Sequence, residues 1–86
     1  MSERKGIAIL GSTGSIGTQA LEVIEAYPEM FDLQVITAHS NADLLIEQAI
    51  KFKPNTVVIG DEAKYEKVKT ALWDHDITVY TGIESL

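Results

Sequence analysis

The sequence has no cysteine, so neither a disulfide framework nor a thiolate metal site is open to it. Basic residues are scarce, with 7 Lys and Arg against 13 Asp and Glu and a net charge of −6. Nucleic-acid binders gain affinity by clustering Lys and Arg against phosphates. The basic residues here are dispersed, and Lys64, Lys67 and Lys69 read as the solvated face of a helix, so no nucleic-acid partner is expected. Long apolar runs are also missing. The start, Met1 to Lys5, is polar, and the run Ile7 to Leu10 is far shorter than a signal-peptide core or the roughly 20 residues that span a bilayer. No membrane partner is expected, and a cytoplasmic location is the default. With so few cations, a phosphate-bearing ligand would have to be held mainly by backbone N–H groups and helix ends.

What is present is a steady alternation of short apolar strands and amphipathic helices in a chain of 86 residues, enough for one small domain. Ile7 to Leu10 is a continuous apolar run ending at Gly11, as for a buried strand. From Ser15 to Tyr27 the residues Ile16, Ala20, Val23, Ile24 and Tyr27 recur at helical spacing, and Pro28 closes the segment. Leu33 to Ala38 reads as a second strand. Asn41 is a plausible cap for a second helix with Ala42, Leu45, Ala49 and Phe52 inside, ended by Pro54. Thr56 to Ile59 is a third strand; Asp61 caps a third helix with Tyr65, Val68 and Leu72 inside; Ile77 to Tyr80 is a fourth strand. The expected fold is α/β, a Rossmann-like doubly wound parallel sheet in a truncated βαβαβαβ form over residues 1–86. The expected strand order is 3-2-1-4, with a ligand crevice at the carboxyl end of strand one, where the order reverses. Ile83 to Leu86 reads as the opening of another helix, so catalytic and carboxyl-terminal domains are expected beyond the segment.

The stretch that carries chemistry is Gly11-Ser12-Thr13-Gly14-Ser15-Ile16-Gly17, between the first strand and the first helix. Gly11 allows a tight turn, Gly14 keeps side-chain atoms away from a pyrophosphate, and Gly17 lets the helix pack closely on the strand. The helix N-terminus behind them offers unpaired N–H donors and a partial positive charge. Ser12, Thr13 and Ser15 bring hydroxyls that could donate to phosphate oxygens. The spacing is G-x-x-G-x-x-G, and no Lys-Ser or Lys-Thr follows the last glycine, so it is not a P-loop. In this position the run points to a dinucleotide, with its pyrophosphate set against Gly14.

The end of the second strand distinguishes the two nicotinamide cofactors. NAD-binders place an acid there for the ribose 2′-hydroxyl. Here the stretch is His39-Ser40-Asn41, with no acid before Asp43. Ser40 and Asn41 can donate to a 2′-phosphate, and a protonated His39 would add charge, so NADPH is the expected cofactor. Asp74-His75-Asp76 reads as a turn rather than a metal site, because neighbouring loop side chains rarely converge on one ion. Trp73 reads as a packing residue. No nucleophile–base pair is apparent, so no catalytic residue and no metal ligand is assigned.

At these residues the chain resembles the amino-terminal part of the 1-deoxy-D-xylulose 5-phosphate reductoisomerases. The likeness rests on Ile9 through Thr18, the Tyr27-Pro28 break, the Ala38 to Asn41 loop, and Phe52-Lys53-Pro54 before Val57-Val58-Ile59. It implies that Thr13, Gly14, Ser15 and Ile16 meet the phosphates and ribose of NADPH. It also implies that His39-Ser40-Asn41 stands where the family commonly has Gly-Lys-Asn, keeping only the Asn. For the parent enzyme it implies a Mg or Mn ion, a phosphosugar substrate and a homodimer, with 1-deoxy-D-xylulose 5-phosphate rearranged and reduced to 2-C-methyl-D-erythritol 4-phosphate in non-mevalonate isoprenoid synthesis. The segment alone would be inactive. Two other readings stay open at this point. Extended short-chain dehydrogenases share the glycine spacing and require a Tyr-x-x-x-Lys pair later in the chain, and no such spacing is expected within these residues. A non-catalytic NADP-sensing module would need neither that pair nor a metal cluster.

Overall fold

The computed structural model describes residues 5–82. The chain alternates without exception: β1 (Lys5–Ile9), α1 (Ser15–Ala26), β2 (Phe31–Ala38), α2 (Ala42–Phe52), β3 (Thr56–Ile59), α3 (Tyr65–Ala71) and β4 (Thr78–Thr81). A 3₁₀ turn, Glu62–Lys64, leads into α3, and another, Trp73–His75, leads out of it. The expected helix opening at Ile83 to Leu86 lies outside the described residues.

Local chemistry sets the boundaries. Asn41 caps α2 by accepting from the Leu44 amide at 3.3 Å, and Asp61 caps the first 3₁₀ turn through the Ala63 amide at 3.0 Å. Lys53 leaves α2 in the left-handed region, φ 53°, and Pro54 prevents continuation. All strand pairings are parallel. One irregularity, between Ile7 and Ala8, sets Ala8 opposite Val35 rather than Gln34 and so shifts the β1–β2 register.

The strand order is β1-β2-β3-β4, which corrects the expected 3-2-1-4. Each right-handed crossover steps the same way across the sheet, so all three helices lie on one side of it. Ion pairs confirm the neighbourhood: Lys51 of α2 meets Glu25 of α1 at 3.1 Å, and Lys67 of α3 meets Asp43 of α2 at 2.6 Å. The physical reason for the order is the inner face of α3. Val68 and Leu72 are fully buried in the same cluster as Leu45 and Ala49, which holds α3 beside α2 and carries β4 onward past β3. Order 3-2-1-4 would have sent α3 to the other side. Consequently the described strands contain no reversal, and β1 and β4 stand at the two ends of the row they form.

The core sits between the sheet and these helices. Register places Ile9, Ile36, Val57 and Val79 in one row across the four strands, all buried. Truncating a fully buried residue such as Leu45 to alanine would cost about 2–5 kcal/mol. The neighbouring row, Ala8, Val35, Thr56 and Thr78, is exposed or half-buried, consistent with a side that no described helix covers.

The inner stripes of α2 and α3 match expectation. That of α1 does not: Gly17, Leu21 and Ile24 face inward, while Ile16 is 83% exposed and Val23 and Tyr27 are also exposed. The close approach at Gly17 fixes the rotation of the helix, and the i, i+4, i+7 stripe follows from it. Trp73 is 73% exposed and is not a packing residue, because the 3₁₀ turn carries it away from the core before Asp76 turns the chain at φ 56°.

Candidate functional site

The glycine loop and the loop after β2 lie side by side at the carboxyl ends of two paired strands. Hydrogen bonds stitch them together. Gly11 donates its amide to Thr37 Oγ1 at 3.0 Å, and Ser12 donates its amide to the Thr37 carbonyl at 2.7 Å. Thr13, Gly14, Ser15 and Ile16 are thereby brought into one region with His39, Ser40 and Asn41. Thr13 is half-buried and the other six are exposed.

The three glycines are bare for different reasons. Gly11 has φ +75°, which an L side chain rarely adopts. At Gly17 a Cβ would fall 2.3 Å from the Gly11 carbonyl oxygen and 2.6 Å from Ser12 Cα, so the helix can rest on the loop only without one. Gly14 is under neither constraint. Its backbone is extended, φ −81° and ψ 175°, and a Cβ would meet nothing nearer than the Gly11 oxygen at 3.5 Å. The fold does not need glycine there, so the space it leaves faces outward.

Behind Gly14 the start of α1 is electrostatically open. The Gly14 amide is taken by the Gly11 carbonyl at 3.0 Å, and the first helical bond runs from the Thr18 amide to the Gly14 carbonyl at 2.9 Å. The amides of Ser15, Ile16 and Gly17 therefore have no acceptor within the helix. No side chain caps α1, and no acid stands in its first turn. By contrast α2 has both the Asn41 cap and Asp43, and α3 has Glu66 in its first turn. A helix start with free donors and no compensating acid attracts an anion. A cleft of about 720 Å³ runs from this point beside β1, between Ala8, Leu10, Gly14, Ile16 and Ala20.

Ser12 departs from expectation. It is fully buried, and its hydroxyl donates to Gln48 Oε1 at 2.7 Å, while Gln48 Nε2 donates to the Ser12 carbonyl at 2.8 Å. Its hydroxyl is thus turned away from any phosphate, which leaves Thr13 and Ser15 as the loop's available hydroxyls. Gln48 gave no sign of this in the sequence beyond its place between Leu45 and Ala49 on the inner stripe.

In the second loop, Asn41 spends Oδ1 on the cap, so Nδ2 is its remaining donor group. The His39 ring packs on Gly60, where a Cβ would come within 2.9 Å of Nδ1. Its carbonyl accepts from the Asp61 amide at 2.7 Å, tying β2's end to β3's. Asp43, the next acid along the chain, is held below the ordinary aspartate range first by its hydrogen bond to Lys67 and then by that lysine's charge and the more distant Lys64. Its charge is therefore matched by a cation, while the Asp61 carboxylate accepts from the Ala63 amide.

One sequence expectation needs correction. A Tyr-x-x-x-Lys spacing does occur within the chain, as Tyr65 and Lys69 on α3. The Lys69 ammonium lies 5.5 Å from the centre of the Tyr65 ring, and the pair borders the cleft beside Trp73, Asp76 and β4. That is the sheet edge opposite β1, with β2 and β3 between, so the pair is a helix-surface contact remote from the glycine loop. Asp74, His75 and Asp76 occupy the exposed turn before β4, and no group of metal-ligating side chains converges among the described residues. Among the same residues no helix is long and apolar enough to cross a membrane.

Comparison with known proteins bears on this geometry. The family description for 1-deoxy-D-xylulose 5-phosphate reductoisomerase matches residues 7–86. Among curated relatives, the reductoisomerase of Phocaeicola vulgatus is 54% identical over 83 residues, 96% of this chain and 22% of that protein. The one from Bacteroides fragilis is 55% identical over 84 residues, 98% of this chain and 22% of that protein. The solved structure of the Zymomonas mobilis enzyme in complex with NADPH aligns with a TM-score of 0.92 at 29% identity, covering 99% of this chain and 22% of that one. The chain thus spans about a fifth of the length of the relatives it matches.

Proposed function

The chain belongs to the 1-deoxy-D-xylulose 5-phosphate reductoisomerase family, and from that premise we propose that it is the NADPH-binding segment of such an enzyme. In this reading the amides of Ser15, Ile16 and Gly17 and the hydroxyls of Thr13 and Ser15 receive the coenzyme's diphosphate. Ser40, Asn41 Nδ2 and His39 receive the adenosine 2′-phosphate. The observation that carries the reading is the combination at Gly14: a position the fold leaves bare without needing to, set against a helix start with no cap and no acid. The NADPH complex of the Zymomonas mobilis relative supports NADPH as the ligand.

When bound, NADPH supplies the hydride. What this chain contributes is orientation: backbone donors on a rigid strand–loop–helix unit hold the diphosphate, and the second loop sets which coenzyme is accepted. The full enzyme would rearrange and reduce 1-deoxy-D-xylulose 5-phosphate to 2-C-methyl-D-erythritol 4-phosphate in isoprenoid synthesis, as a homodimer in the cytoplasm. A solved relative was crystallised with magnesium, but among the described residues no group of ligating side chains converges to hold such an ion. A short-chain dehydrogenase reading loses its support with Tyr65 and Lys69 on the far edge of the sheet.

Calorimetric titration of the chain with NADPH, NADH and adenosine 2′,5′-bisphosphate tests the proposal. NADPH and the bisphosphate should bind more tightly than NADH, and the chain should not oxidise NADPH in the presence of the phosphosugar. Equal affinity for NADH, or none for NADPH by a folded chain, would overturn it.

A further inference from the structure

Outside the groups that would touch coenzyme, Ser12 and Gln48 form a buried polar pair bonded to each other twice. Ser12 is 0% exposed and Gln48 is 6% exposed, and they face each other from segments 36 residues apart. All three polar groups of Ser12 are engaged by the second βα unit. Its amide goes to the Thr37 carbonyl, its hydroxyl to Gln48 Oε1, and its carbonyl accepts from Gln48 Nε2. No other residue of the glycine loop is held in this way.

An apolar residue at position 48 would continue the stripe of Leu45 and Ala49 and would bury more readily than an amide. What a fully satisfied polar pair adds is a single permitted position for Ser12, because any displacement leaves buried donors and acceptors unpaired. Ser12 lies two residues before Gly14, and Gly17 rests on it with no side chain between. Fixing Ser12 therefore fixes the height of the α1 start over β1. We propose that Gln48 is a positioning residue for dinucleotide binding: it stays out of contact with the coenzyme and holds the glycine loop in the shape the diphosphate meets. This rests on the reading of the loop as an NADPH seat.

The test uses Gln48→Glu, Gln48→Leu and Ser12→Ala, with NADPH affinity measured by calorimetry and folding followed by circular dichroism in the same buffers. A protonated glutamic acid presents one donor and one acceptor, as the amide does, and can serve Ser12 in the same way. An ionised carboxylate has acceptors only and sets a charge against the Ser12 carbonyl. The Kd of Gln48→Glu, divided by that of wild type at the same pH to cancel the coenzyme's own titration, should be near one in acid. It should rise about tenfold or more as the carboxyl ionises, at a pH raised by burial. Gln48→Leu should be weakened at every pH, and Ser12→Ala, which keeps the bond to the carbonyl, should be weakened less. A folded Gln48→Glu whose ratio does not change with pH would overturn the inference, as would wild-type affinity in Gln48→Leu. Should Gln48→Leu fail to fold, the glutamate ratio and Ser12→Ala still decide. Failure of folded wild type to bind NADPH would instead remove the underlying reading, and this inference with it.

Discussion

Consider Gly14 replaced by valine. The backbone there is extended, a region β-branched residues favour, and the nearest atom to a new Cβ is 3.5 Å away. Losing glycine for valine at a helix cap costs about 1 kcal/mol, so the fold should survive. The coenzyme should not fare as well, because methyl groups now occupy the approach to the amides of Ser15 and Ile16. A hydrogen bond to a charged group is worth about 1.5–3 kcal/mol. Losing one such contact would raise the Kd roughly 10- to 150-fold, at about 1.4 kcal/mol per tenfold. Urea denaturation measures the first effect and calorimetry with NADPH the second. A variant that folds as well as wild type and takes up NADPH undiminished would refute the assignment of the diphosphate to this loop.

Three other perturbations follow from the same geometry. Gly17→Ala should destabilise the chain by about 1–3 kcal/mol despite alanine's better helix propensity, because its Cβ meets backbone atoms at 2.3 and 2.6 Å that cannot swing aside; a thermal melt at or above wild type would contradict this. Ser40→Asp should shift preference toward NADH by setting a carboxylate beside the 2′-phosphate, and unchanged NADPH affinity would exclude Ser40 from that subsite. Asp43 titrates below its ordinary value because of Lys67, so their pairing stabilises the fold above about pH 4 and is lost as pH falls through the lowered value. The stability difference between wild type and Lys67→Met should therefore be present near pH 6 and close in strong acid, and a difference undiminished at about pH 2 would show that the pair is not its source.

The alternation of elements was legible because buried strands and amphipathic helices differ in period, and Asn41, Pro54 and Asp61 mark boundaries by chemistry local to each. The strand order was not. Every strand is apolar enough to take a neighbour on either side, and the choice is made by α3 docking against α2 through Val68 and Leu72, a contact no local pattern encodes. The glycine loop is legible in its spacing, but the burial of Ser12 is not. Helical periodicity puts the Ile16 side chain inside, whereas the rotation of α1 is dictated by the contact of Gly17 with Ser12 and leaves Ile16 exposed. Gln48 is not legible, because a glutamine within an apolar stripe reads as a boundary of the stripe. Its partner lies in a different segment and becomes visible only in three dimensions. Tyr65 and Lys69 show the converse: a spacing with chemical associations elsewhere, placed by the fold on the wrong edge for that chemistry.

A sheet whose strands succeed one another in space as they do in the chain can be assembled in the order of synthesis. Once Ala38 has emerged, β1 and β2 can close around α1, and the loop at their tips takes its outline from Thr37 alone. It gains its second anchor only when α2 arrives with Gln48, before β3 or β4 has emerged. A nascent chain would thus complete the fixed form of its anion seat at roughly the midpoint of this segment, with the later strands widening the platform rather than shaping the seat.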